Sequence, residues 1–129
     1  MDRRRGLTPP AIYVVRWVAR LWGAVAALIL LAFLAEHVQE WLWKAAALPP
    51  TSVFVALGFH LLLLIGLIVA WRWELQGALL ALVGAAGFCV ASGGGWRLVF
   101  FVGVMSAPAL GWLACVGLSR RTLKHQVAG

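Results

Sequence analysis

Residues 70–77 read AWRWELQG and stand in the middle of the most apolar part of the chain. VFVALGFHLLLLIGLIV precedes them and ALLALVGAAGFCVAS follows. The interval from Val53 to Ser92 is 40 residues long, enough for two bilayer crossings at about 20 residues each. Arg72 and Glu74 divide it almost in half. Charged side chains are costly at the bilayer centre. At a turn among lipid headgroups they cost little, and Trp71 and Trp73 suit that depth as interfacial anchors. The stretch is therefore predicted to be the turn of a hairpin between two membrane helices.

The composition agrees. Of 129 residues, 64% are hydrophobic and 12% charged, whereas a soluble domain holds about 45–50% apolar and about 25% charged residues. Such a chain has too little polar surface to be wetted, so a bilayer is its expected solvent. A net charge of +7 would suit nucleic acid. The basic residues, however, sit at the ends of apolar runs and form no solvated face. That placement points to topology and to anionic lipid headgroups, and no nucleic-acid partner is expected. Cys89 and Cys115 lie inside apolar runs with neither CxxC nor metal spacing, and read as small packing residues. MDRRR resembles the basic start of a signal peptide. Yet Arg16 and Arg20 interrupt the apolar stretch behind it, and no small-x-small cleavage site precedes Glu36, so the N-terminus is expected to be retained.

Working outward from the hairpin, the reading is all-α: an integral membrane four-helix bundle in one domain. Its spans are expected at residues 14–43, 52–72, 74–91 and 97–118, with polar tails at 1–13 and 119–129. Pro9 and Pro10 precede the first span, Pro49 and Pro50 close the loop after it, and SGGGW breaks the chain before the fourth. Arg3, Arg4, Arg5, Arg16, Arg20, Arg72, Arg120, Arg121 and Lys124 then fall on one side, and only Lys44 and Arg97 on the other. Nine basic residues against two predict that both termini and the WRWE turn are cytoplasmic, in a prokaryotic inner membrane. From Ala11 to Trp43 the first helix would reach about 50 Å, well beyond a hydrocarbon core of about 30 Å. Arg16 and Arg20 share a face at its start. Either residues 11–22 lie in the cytoplasmic interface, or the helix tilts and its arginines snorkel.

Membrane helices associate through close packing of small residues. The third helix carries Gly77, Ala81, Ala85 and Cys89 at steps of four, and the fourth carries Gly103, Ala107, Gly111 and Cys115 at the same step. The two strips predict a close seam between these helices, or with another subunit. Pro108 is expected to bend the fourth helix.

Trp71, Arg72, Trp73, Glu74 and Gly77 form a W-R-W-E-x-x-G pattern at the hairpin, and Pro108 stands in the last span. With AWRWELQGALLALVGAAGF, a Gly/Trp break and APALGWLACVGL, the chain resembles, over residues 53–118, a family of small bacterial and archaeal four-helix membrane proteins of unknown function. Where such proteins often carry two glycines, this chain has Gly77 followed by Ala78. Its first helix matches only in being long with an acidic outer end. A weaker likeness links it to DoxX-like four-helix proteins, which also begin a span with an acidic residue and glycines. Both resemblances imply architecture. The first family brings no established activity and no catalytic residue.

The polar residues inside the spans are the functional candidates. Glu36, His37 and Glu40 lie near the outer end of the first helix, with Glu36 and Glu40 on one face and His37 about 100° from Glu36. His60 is eight residues into the second helix, and Glu36 is seven residues in from Trp43, so their depths agree to within about 5 Å. A Glu36–His60 hydrogen bond is expected. It has three readings: a structural clasp worth about 1–2 kcal/mol, a site in which His60 holds haem or a chlorophyll-type pigment, and a proton or solute path. For a haem, His37 is the other, shallower histidine, and the absence of CxxCH excludes covalent c-type attachment. Zinc needs three or four converging ligands, and Glu36, His37 and Glu40 on one helix make a poor cage, so no metal is expected. Neither Ser92 nor Ser106 has a His and an acid at a nucleophile's spacing. At the turn, Glu74 has Arg16, Arg20, Arg120 and Arg121 as candidate partners. It would neutralise the basic rim and fix the hairpin; the alternative is recognition of a lipid headgroup or partner there.

The leading expectation is a non-enzymatic accessory or structural subunit of a larger membrane assembly, or a homo-oligomer, with membrane lipids as further partners and no cofactor. The alternatives are a haem- or pigment-binding module using His60, and a small transporter or proton-conducting unit using Glu36, His37, Glu40 and His60.

Overall fold

A computed structural model describes residues 9–44 and 47–127, and four long helices make up these described residues. The first, α1, is Pro9–Gln39 and passes into a wider π-helical turn at Glu40–Lys44. It is followed by α2 (Thr51–Val69), α3 (Glu74–Ala91) and α4 (Trp96–Val127). All four are long and apolar enough to cross a membrane. The basic run Arg3, Arg4 and Arg5 lies outside the described residues.

The ends of the helices follow local chemistry and correct three expected boundaries. Pro9 and Pro10 are the first residues of α1 rather than its prelude, because a first helical turn needs no N–H from proline and suits its fixed φ. Helix α2 stops at Val69, and the hairpin turn is Ala70–Trp73. There the Trp71, Arg72 and Trp73 amides donate back to Ile68 and Val69 carbonyls at 2.9–3.2 Å. Helix α4 does not end at Leu118 but continues to Val127. SRRTLKHQ holds neither Gly nor Pro to stop it, and its basic residues suit the negative end of the helix dipole. Between α3 and α4, Gly93 takes φ 57°, the left-handed conformation that turns the chain out of the helix.

These lengths divide the bundle into a long pair and a short pair. At 1.5 Å per residue, the 31 residues of α1 and the 32 of α4 reach about 46–48 Å, against about 27–29 Å for α2 and α3. A Cβ on Gly111 would lie 3.3 Å from the Ala19 side chain, and Arg16 meets Glu74. From those levels, residues 9–15 of α1 and the last turns of α4 run past the α2–α3 turn. Residues 11–22 are thus the first part of one continuous helix.

Inside, the packing is small and close. Helices α2 and α3 form the tightest pair. A Cβ on Gly66 would run into the Ala81 backbone, one on Gly77 into Ala70, and one on Gly84 into the Leu63 backbone. The strip of Gly77, Ala81 and Ala85 is therefore buried, with Cys89 half-buried, but its intimate neighbour is α2. The expected α3–α4 seam of matched strips is not the arrangement found. On α4, Gly103 and Ala107 are exposed, Gly111 approaches α1, and Cys115 is buried. The reason is angular: a step of four residues advances about 40° round a helix, so a strip of four such residues sweeps about 120° and cannot keep one neighbour. The inner face of α4 is instead Val102, Met105, Ala109 and Trp112.

The seam between α1 and α4 is built on Pro108. Proline has no N–H, so the Val104 carbonyl one turn earlier loses its helical donor. The Trp22 indole N–H of α1 donates to that carbonyl at 3.0 Å. Beside it, the Trp112 ring lies over Gly23, where a Cβ would come within 2.8 Å of the ring edge. On the outside the pattern is the inverse of a soluble protein. Large apolar side chains such as Leu28, Ile68, Val83 and Leu110 are exposed, while Ala26, Ala78 and Ala81 are buried. Apolar surface of this extent marks contact with a membrane or partner. Together with the four long helices it points to a multi-pass membrane protein.

Candidate functional site

Polar side chains gather at the two ends of the bundle. At the α2–α3 turn, Arg16 Nε lies 2.6 Å from Glu74 Oε1, and Arg20 Nη2 lies 3.8 Å from the same oxygen. Arg20 also donates to the Trp71 carbonyl at 3.5 Å, with its guanidinium 5.8 Å from the Trp17 ring. Of the four arginines that were candidates for Glu74, the two on α1 are its partners. Glu74 opens α3, where a negative charge also meets the positive end of the helix dipole. Trp71, Arg72 and Trp73 are exposed. Arg72 makes no ion pair among the described residues.

The opposite end holds a cavity of about 520 Å³, within the range of about 300–1,000 Å³ usual for small-molecule sites. All four helices contribute to it. Phe33, Leu57, Phe88 and Leu98 supply apolar wall, and His60 lies at its inner end. Its polar lining is His37 from α1, Glu40 from the π-helical turn, Ser52 from the first turn of α2, and Ser92 from the α3–α4 connection. The π-helical turn also brings Trp41 to the cavity. There His37 stacks on Phe33 at 5.6 Å, meets Trp41 edge-on at 5.7 Å, and donates Nδ1–H to the Phe33 carbonyl at 2.9 Å.

Glu36 and His60 do not form the expected pair. Glu36 is exposed and is not part of the cavity lining. His60, 7% exposed, donates Nε2–H to the Leu30 carbonyl of α1 at 2.9 Å. Leu30 precedes Glu36 by six residues, which is about 9 Å along the axis and about 240° round the helix. Equal depth counted from helix ends misplaced the contact, because α1 passes the start of α2 by the length of its π-helical turn. His60 does clasp α1 to α2, through a backbone carbonyl.

A carbonyl oxygen only accepts, so the proton of the neutral His60 ring is on Nε2 and its Nδ1 is an acceptor. Among the described residues Nδ1 has no hydrogen-bond partner, and it is not sealed in the interior; His60 itself lines the cavity. The Phe88 ring stands edge-on to the imidazole at 5.4 Å. This arrangement suits a ligand that donates a hydrogen bond better than a haem. The engaged nitrogen is Nε2, and Nδ1 is hemmed by the ring's own Cβ against a flat macrocycle. Among the described residues, no group of three His, Cys, Asp or Glu side chains converges as a metal site. Of the residues singled out in the sequence, His37, Glu40 and His60 meet at this cavity. Phe88 and Ser52 were not anticipated, and Ser92, weighed in the sequence only as a nucleophile, joins them in the lining. The serines' signal was positional: Ser52 opens one helix and Ser92 ends another, and the hairpin brings those two ends together.

With that geometry in place, the chain's family can be stated. Residues 8–119 match the family described as Domain of unknown function (DUF7670), and the chain belongs to it. The match takes in α1 as well as the hairpin and the membrane-length part of α4, and so extends beyond the resemblance carried by residues 53–118. No curated protein and no solved structure matches the chain.

Proposed function

We propose that this protein is a non-enzymatic, multi-pass accessory subunit of a larger assembly in the prokaryotic inner membrane, with both termini and the WRWE turn on the cytoplasmic side. The observation that carries the reading is the outward face of α4. Gly103, Ala107, Ala114 and Gly117 are all exposed there, with Leu110 the one large residue among them. At 100° per residue these positions share an arc of about 80°. Small residues let another helix backbone approach closely, so the partner in this reading is a transmembrane helix of another subunit or of a second copy. Arg120 and Arg121, exposed on the overhanging part of α4, suit anionic headgroups on the cytoplasmic side. A conducting path has less support. Below His60 the interior is closed by Leu63, Leu67 and Trp112, each with no exposed surface.

Purification of the native protein in mild detergent, with identification of everything that accompanies it, tests the reading. A co-purifying membrane polypeptide or a stable homo-oligomer is expected. Gly103→Leu and Ala107→Leu should release it while leaving the monomer folded. A lone native monomer, or a complex indifferent to both changes, would overturn the proposal.

A further inference from the structure

We propose that the cavity at the end of the bundle opposite the WRWE turn is a binding site for a small phenol, whose hydroxyl donates a hydrogen bond to His60 Nδ1. This site is independent of the outward face of α4 and of any partner subunit. Three observations carry it.

The first is the unpaired acceptor. His60, at the inner end of the cavity, is nine-tenths buried, its Nε2–H is committed to Leu30, and Nδ1 has no partner among the described residues. The atom itself is not sealed in the interior, so a donor from outside the chain can reach it, and polar groups in so enclosed a setting are usually paired. The second is the fixed tautomer. With the proton held on Nε2 by a carbonyl, the neutral ring presents only an acceptor to the cavity. The site therefore selects a hydroxyl over a carbonyl or an ether. The third is the wall. Phe33, Phe88 and Trp41 bring aromatic rings to the cavity, and Leu57 and Leu98 complete its apolar surface. Ring faces and edges favour a flat aromatic body. An aromatic ring bearing a hydroxyl meets all three conditions.

Histidine-labelled protein in detergent, titrated with para-butylphenol and separately with its methyl ether, para-butylanisole, tests the site. The ether has nearly the same shape and apolar character but no donor. The phenol should move the Nδ1 resonance of His60 saturably. The ether should bind roughly tenfold more weakly or worse, since it covers the acceptor without supplying a donor. His60→Phe keeps a ring against Phe88 and should abolish the preference for the phenol, whereas His37→Phe should retain it. Ala56→Trp, which fills the cavity from the α2 wall, should abolish the response to both compounds. Should His60→Phe fail to fold, the wild-type resonance and Ala56→Trp still decide. Equal binding of phenol and ether, an unmoved Nδ1 signal (solvent alone serving the acceptor), or a response that survives Ala56→Trp would overturn the proposal.

Discussion

Glycine and histidine positions fix how close the helices of this protein come. At Gly66 and Gly84 the obstacle to any side chain is the backbone of the neighbouring helix, which cannot turn aside as a rotamer can. Gly66→Val or Gly84→Val should therefore cost at least the roughly 1–3 kcal/mol typical of overpacking, read as a lowered thermal midpoint in detergent. Leu79→Ala, at an exposed position, should stay within about 0.5 kcal/mol of wild type. Equal tolerance at all three sites would show that α2 and α3 are not in intimate contact. A second test concerns Glu36 and His60. Since His60 bonds to Leu30 and Glu36 is exposed, Glu36→Leu and His60→Leu should be additive to within about 0.3–0.5 kcal/mol. The Glu36 change should be the mild one. A double variant less destabilised than the sum of the singles would restore the direct pair.

Between elements, the decisive device is the replacement of a lost helical hydrogen bond by one from a neighbour. Pro108 leaves the Val104 carbonyl without its helical donor, and Trp22 supplies the substitute. Trp22→Phe keeps a ring but orphans that carbonyl, at a cost of about 1–3 kcal/mol. In a Pro108→Ala background the residue 108 amide can donate to Val104 again, so the same Trp22→Phe change should cost much less. A thermal-stability cycle over the four proteins measures the coupling, and an unchanged cost of Trp22→Phe would show that the indole bond has no part in the seam. None of this was evident from the strips of small residues. Such strips indicate that a backbone approaches, without saying which one. The short turn at Ala70–Trp73 makes α2 and α3 adjacent and antiparallel, and that connection decided the partner of Gly77 and Ala81. The inner stripe of α1, Ala19, Gly23, Ala26 and Leu30, lies at steps of four, three and four. That spacing follows one face of a helix better than a constant step of four.

For the whole molecule, the helix count and the hairpin were legible because charge within an apolar run has few physical outcomes. WRWE had to be a turn. The cavity was less legible, because it depends on how far α1 reaches past α2. The π-helical turn at Glu40–Lys44 settles that reach, and it leaves no periodic trace in sequence. The expected orientation rests on charge alone. Among the described residues, Arg16, Arg20 and Arg72 lie at the α2–α3 turn, and Arg120 and Arg121 lie on the stretch of α4 that overhangs it; Lys44 and Arg97 are at the opposite end. Basic residues near span ends are retained on the cytoplasmic side, so the turn end should face the cytoplasm and the His60 cavity should open away from it. A reporter fused after Gly129 should therefore read cytoplasmic, and one inserted beside Leu48 should read external. Cysteine labelling gives a second readout. A cysteine at exposed Arg72 should be protected from an impermeant reagent in intact cells, and one at exposed Trp96 should react. The inverted pattern in both assays would reverse the molecule in the membrane and place the cavity on the cytoplasmic side.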